Sequence, residues 1–118
     1  LNKTLSRVFQ SFRIIANNEF SNILDSIIQA MYLLKPQGRL AVITFHSIED
    51  RLVKNIFRSF SRGNKLYLEN MGYQISCECR KIIKILTKKP IRPNRHEITN
   101  NKRSRSAKLR IVERLIII

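Results

Sequence analysis

Glycine is scarce in this chain. There are three, Gly38, Gly63 and Gly72, and no two of them form a G-x-G. A doubly wound domain that holds a nucleotide or adenosyl group on a glycine-rich turn after its first strand needs such a run. No cradle of that kind is expected within these 118 residues. Cysteine is as sparse. Cys77 and Cys79 stand one residue apart, a spacing that rarely bridges, and two sulfurs fall short of the roughly four ligands of a structural zinc site. Reduced thiols and no metal are expected. No apolar run approaches the roughly 18–20 residues of a membrane span, and Leu1-Asn2-Lys3 opens no signal-peptide core. An initiator Met is missing too, so the chain is expected to begin inside a longer protein.

Acidic side chains are the remaining shortage: 8 Asp and Glu against 23 Lys and Arg, for a net charge of +15. The distribution is one-sided. Residues 1–79 carry ten basic and six acidic groups, and residues 80–118 carry thirteen and two. A basic half of this kind suits a polyanion, RNA or DNA before an acidic membrane. The plainer alternative is a solvated surface on a Lys-rich protein. Hydrophobic content of 43% is that of an ordinary globular chain, not a disordered one.

Apolar spacing predicts the elements. Val8, Phe9, Phe12 and Ile15 mark a helix over 5–16, with Thr4 or Ser6 as its cap and Asn17-Asn18 as its end. Phe20, Ile23, Leu24, Ile27, Ile28, Met31 and Leu34 stripe a second helix from about Glu19 to Leu34. Lys35-Pro36-Gln37-Gly38 stops it, with Gly38 as the residue free to take positive φ. Leu40 to Phe45 is continuously apolar, the signature of a parallel strand covered on both faces. A helix from about Ile48 to Phe60 turns Leu52, Val53, Ile56, Phe57 and Phe60 inward and Arg51, Lys54 and Arg58 outward. Strand character returns at Lys81–Thr87 and Leu109–Leu115, around a basic loop from Pro90 to Arg105 with a helical turn near Glu97. Helix, strand, helix, strand, strand is half of a doubly wound α/β domain.

The reactive-looking residues sit at one junction. His46-Ser47 ends a strand and begins a helix, and in open α/β sheets that turn faces the ligand crevice. His46 and Ser47 are the catalytic candidates, an imidazole to accept a proton and a hydroxyl to orient one. No triad is recognisable, so nucleophilic catalysis is not indicated. Ser47 also has a structural reading. Ser47-Ile48-Glu49-Asp50 is capping-box-like, with the Ser47 hydroxyl accepting from the Asp50 amide and the Asp50 carboxylate reaching back. The segment 88–110 gathers Lys88, Lys89, Arg92, Arg103, Arg105 and Lys108, candidates for RNA phosphates. It lacks aromatics for stacking on bases, so base readout is not expected from it.

Three blocks resemble one family, the bacterial small-subunit rRNA cytosine-N4 methyltransferases. Arg7-Val8-Phe9-Gln10-Ser11-Phe12-Arg13-Ile14 with Asn17 and Glu19 is similar to its TFQALRI..N.E block. Leu34-Lys35-Pro36 through Lys54 is similar to LxPGGRLxVISFHSLEDRxVK. Thr87-Lys88-Lys89-Pro90-Ile91 with Arg103-Ser104-Arg105-Ser106-Ala107-Lys108-Leu109-Arg110 is similar to TxKPxxP…NxRxRSAxLR. The order is the family's, and the FHSxEDR core is highly specific. Two departures stand out. Lys3-Thr4-Leu5-Ser6 replaces the usual HPAT, and Gln37 stands where the first Gly of PGG is usual.

The resemblance implies an α/β fold, the carboxy-terminal part of a Rossmann-like class I methyltransferase domain that spans 1–118. It implies an S-adenosylmethionine-dependent enzyme, cytoplasmic, acting on a cytidine in the decoding region of 16S rRNA in the small ribosomal subunit. The family's cofactor loop, acidic ribose ligand and target-amine residues lie upstream of the matching region. No residue of this chain is thus expected to bind the cofactor, and the missing amino-terminal half becomes an expected partner. The chain alone is expected to be inactive. The alternatives are a basic RNA-binding module without catalysis and the product of a split gene. The flank of the Leu40–Phe45 strand is expected to stand open where a central strand would pair.

Overall fold

A computed structural model describes residues 16–75 and 78–116. The helix expected over 5–16 and Cys77 lie outside the described residues. The elements are α1 (Ala16–Leu33), β1 (Arg39–Thr44), α2 (Ser47–Arg62), a short α3 (Leu66–Glu69), β2 (Ile83–Ile85), α4 (Arg95–Asn100), a 3₁₀ turn (Lys102–Ser106) and β3 (Lys108–Arg114). This is an α/β arrangement, with helices packed on a small sheet.

The apolar stripes of the two long helices make the core. Leu24, Ile27 and Met31 of α1 meet Leu52, Val53, Ile56, Phe57 and Phe60 of α2, with Ile82, Ile83 and Val112 from the sheet side. Met31, Ile56 and Phe60 are fully buried, each worth about 1.5–3 kcal/mol of removed apolar surface. Cys79 is a buried member of the same cluster. Gly63 ends α2 in the left-handed conformation, φ +66°, and its amide donates to the Ser59 carbonyl. A Cβ there would stand 3.4 Å from the Lys81 amide nitrogen, so glycine answers both the turn and the close approach.

The sheet order is β1-β3-β2, and β3 runs antiparallel to both neighbours. The expectation of a parallel β1 covered on both faces is therefore corrected. Among the described residues β1 pairs only with β3, from Arg39↔Glu113 to Thr44↔Lys108. Its side chains alternate, with Leu40 and Val42 against the core and Ile43 58% exposed. The run is continuously apolar because its second face is apolar as well, although no described residue covers it. Among the described residues no strand lies beside the other flank of β1. β2 is shorter than the expected Lys81–Thr87, only three residues.

The turn between α1 and β1 corrects a second expectation. Gln37, not Gly38, has the positive φ, at +67°. The Gly38 amide donates to the Lys35 carbonyl at 2.8 Å, which makes Lys35-Pro36-Gln37-Gly38 a β-turn. Proline at its second position and positive φ at its third are the type II pattern. Gly38 is needed for room instead: a Cβ there would lie 2.9 Å from the Lys35 carbonyl oxygen.

Candidate functional site

The site grows from the end of β1. Because β1 and β2 both run antiparallel to β3, their carboxyl ends lie at the same end of the sheet. Thr44 closes β1 opposite Lys108, its hydroxyl buried and without a hydrogen-bond partner among the described residues. Phe45, His46, Ser47 and Ile48 then rise to the surface, all exposed. The two catalytic candidates thus stand in the open at the carboxyl end of β1, where α/β sheets place their ligand crevice.

The expected capping box does not form. His46 occupies the N-cap of α2 with extended backbone, φ −126° and ψ 144°, and makes no side-chain cap. The Asp50 amide donates to the His46 carbonyl at 2.9 Å, an ordinary helical bond, so Ser47 is already inside the first turn. Asp50 does not reach back. Its carboxylate takes a two-pronged grip from Arg110 on β3, Nε to Oδ1 at 2.7 Å and the terminal nitrogen to Oδ2 at 3.0 Å. Both residues are buried, at 7% and 8% exposure. The guanidinium fork matches a carboxylate in geometry and charge, and outcompetes a backbone amide for it.

This pair ties the FHSIEDR block to the RSAKLR block across 60 residues of sequence. The Arg110 hydrogen bond, then the Arg110, Lys108 and Lys54 charges, hold the Asp50 carboxyl below its ordinary range against the opposing effect of burial. Asp50 is therefore an ionised anchor of the α2 amino terminus, not a proton donor. Lys108 lies 3.9 Å from Asp50 Oδ2 with 22% of its side chain exposed. Its charge faces the interior carboxylate, which removes it from the expected set of free phosphate contacts.

The other basic candidates converge on this end of the sheet. After β2 the Leu86 amide still donates to the Ile111 carbonyl, but the Ile111 amide donates to the Thr87 hydroxyl at 3.1 Å instead of to main chain. The chain then bows outward through Lys88, Lys89 and Pro90 and returns at Ile91, which exchanges both backbone bonds with Leu109. Leu109 is paired with Ile43 on its other side. Lys88, Lys89 and Arg92 are exposed along this bow. The 3₁₀ turn delivers Arg103 and Arg105 beside it. Ser104 between them is buried, its hydroxyl donating to the Asn101 carbonyl at 2.7 Å, and both arginines are exposed. Asn94 and Asn101 cap α4 and the 3₁₀ turn by accepting from the Glu97 and Arg103 amides. One rim therefore carries His46, Ser47 and five of the six expected basic residues.

Comparison with known proteins settles the family. The sequence profile described as the MraW methylase family matches residues 2–115. The chain belongs to this family. Three curated relatives, each named ribosomal RNA small subunit methyltransferase H, are similar to it. That of Mesoplasma florum is 46% identical over 92% of this chain and 35% of its own length. That of Brevibacillus brevis is 42% identical over 92% and 34%, and that of Thermomicrobium roseum 47% identical over 93% and 33%. The chain thus spans about a third of the length of the relatives it matches.

Methyltransferases of this kind use S-adenosylmethionine, and the described residues do not by themselves fit an adenosyl group. The turn after β1 carries Phe45, His46 and Ser47 instead of glycines, and its one buried carboxylate is already held by Arg110. No helix among the described residues is long and apolar enough to cross a membrane.

Proposed function

We propose that residues 1–118 are the carboxy-terminal portion of a cytoplasmic enzyme that transfers a methyl group from S-adenosylmethionine to N4 of a cytidine in the decoding region of 16S rRNA. The cofactor is held by the amino-terminal half that precedes this portion. The observation that carries this reading is the single rim on which His46 and Ser47 meet the exposed cations Lys88, Lys89, Arg92, Arg103 and Arg105. Methyl transfer to an amine is largely a matter of holding two atoms in line at about 3 Å. In this division of labour the rim cations take the phosphates around the target nucleotide, and His46 and Ser47 form the wall that orients the base. The Asp50–Arg110 pair keeps that wall fixed to the sheet.

A chimera tests it. Residues 2–115 replace the matching segment of the Mesoplasma florum relative, and methyl incorporation into small ribosomal subunits is measured with a nucleoside digest. N4-methylcytidine is the expected product, and His46→Ala is expected to lower its rate by about tenfold or more at an unchanged melting temperature. A folded chimera that binds S-adenosylmethionine and methylates no cytidine would overturn the proposal in favour of an RNA-binding module without catalysis.

A further inference from the structure

A groove runs between α2 and the β2 edge and reaches the rim at Lys88. Its volume is about 650 Å³, and its walls carry Lys54, Arg58 and Arg62 from α2 and Lys81, Lys84 and Lys88 from the β2 segment. No carboxylate lines it. Among the described residues no Asp or Glu forms an ion pair with Lys54, Arg58, Lys81, Lys84 or Lys88. Asp50 offsets part of the Lys54 charge and Glu113 stands opposite Lys84 on β3, but these two carboxylates against six cations leave the groove net positive, which favours an anion.

The order of the cations shows what shape of anion. The two walls meet at their far end, where the Ile82 amide donates to the Phe60 carbonyl and Gly63 closes on Lys81. From there Arg62, Arg58 and Lys54 climb α2 toward its amino terminus. Lys81 and Lys88 stand at the two ends of the opposite wall, and Lys84 between them alternates to the far face of the sheet, opposite Glu113. On the helix each step of four residues advances about 6 Å, close to the separation of successive phosphates in an extended single strand. The floor is apolar but buried, with Phe57 at 2% exposure and Ile83 at 0%. A membrane-docking surface would instead pair its cations with protruding apolar side chains.

We infer that this groove is a phosphate track for single-stranded RNA, which receives the backbone on one side of the nucleotide presented at the rim and leads it away along α2. The inference rests on the proposed RNA-modifying function for the identity of the polyanion. Its test reads equilibrium binding without cofactor or methyl transfer, so either reading can fail alone.

Fluorescence anisotropy with a short labelled single-stranded RNA measures affinity across a salt series for the chain and for the Lys54→Gln/Arg58→Gln/Lys81→Gln variant. Each lost contact lowers the slope of log K against log salt by about 0.7 on single strands, so the variant is expected to lose about 2 from the slope. An unchanged slope in a variant with native circular dichroism overturns the track. So does a variant that loses binding to phosphatidylserine vesicles while its RNA slope stays put. A second measurement needs no variant: RNA is expected to shield Lys54, Lys81 and Lys88 of the unaltered chain from acetylation. Equal labelling with and without RNA overturns the track as well.

Discussion

Removing one partner of the Asp50–Arg110 pair should damage the fold far more than removing both. Asp50→Ala leaves the Arg110 guanidinium at 8% exposure with no carboxylate to meet its fork. Breaking a buried pair in this way costs about 3–5 kcal/mol, against a total stability on the order of 5–15 kcal/mol for a domain. Arg110→Ala strands the carboxylate instead, and Lys108 at 3.9 Å recovers only part of the loss. The double replacement Asp50→Leu/Arg110→Met fills the same space without charge. It is expected to be near neutral, because the pair's attraction is largely offset by the desolvation of both ions. Urea unfolding by far-ultraviolet circular dichroism, at low micromolar concentration to keep the open β1 flank from self-pairing, reads these differences. With a slope of about 2 kcal/mol per molar, a loss of about 3 kcal/mol lowers the midpoint by about 1.5 M.

The pH dependence gives the same experiment a second axis. Asp50 titrates below the ordinary carboxylate value when folded. Its contribution is therefore fully present above the unfolded value of about 4 and is lost as pH falls through the lower folded value. The wild-type chain should lose more stability below pH ~4 than the double replacement does. Single variants that each cost under about 1 kcal/mol, the range of exposed pairs, would refute the assignment. So would a double variant as unstable as the sum of the singles.

Three further outcomes follow from the backbone and the rim. Gln37→Gly relieves a left-handed residue that costs about 1–2 kcal/mol, less about 0.4–1 for the freer unfolded chain, so stability should rise by a net of about 1 kcal/mol or slightly less, and the urea midpoint by about 0.5 M or less; a fall would refute the type II turn. Thr87→Val removes the acceptor of the Ile111 amide and should cost about 1–3 kcal/mol, with faster hydrogen exchange at Ile111, and unchanged exchange would show that the hydroxyl does not hold the bow. Arg103→Gln/Arg105→Gln should reduce the RNA salt slope by about 1.4 without shifting the melt, whereas a lowered melting temperature would mean the arginines serve the fold.

What could be read from the sequence divides by distance along the chain. The inward stripe of α2 is buried as spaced, from Leu52 to Phe60, because helical periodicity is local. The short helix near Glu97 formed where Asn94 offers a cap three residues ahead. The strand at Leu40–Phe45 lies where its apolar run puts it, but its described partner β3 runs antiparallel, since an apolar run reports how many faces are apolar and not which way the neighbouring strand runs. Gln37 escaped for a related reason: Gly38 beside it is the residue type expected at positive φ, while the backbone needs that glycine for space.

Asp50 is the instructive failure. Within four residues of sequence, Ser47 and Asp50 satisfy the pattern of a capping box, and nothing nearby contradicts it. The carboxylate has two oxygens and about four acceptor directions, so whichever donors reach it with best geometry and least water decide its role. Arg110 arrives from a strand 60 positions away and brings a charged fork where a cap offers one neutral amide. That contest is settled by tertiary packing, which places Arg110 on the β3 position facing α2. Two motif blocks that looked like separate signatures, FHSIEDR and RSAKLR, are thus two halves of one joint. The joint explains why the catalytic candidates and the basic rim share a single end of the sheet: α2 cannot shift its amino terminus, with His46 and Ser47, without pulling Arg110 and the start of β3 along with it.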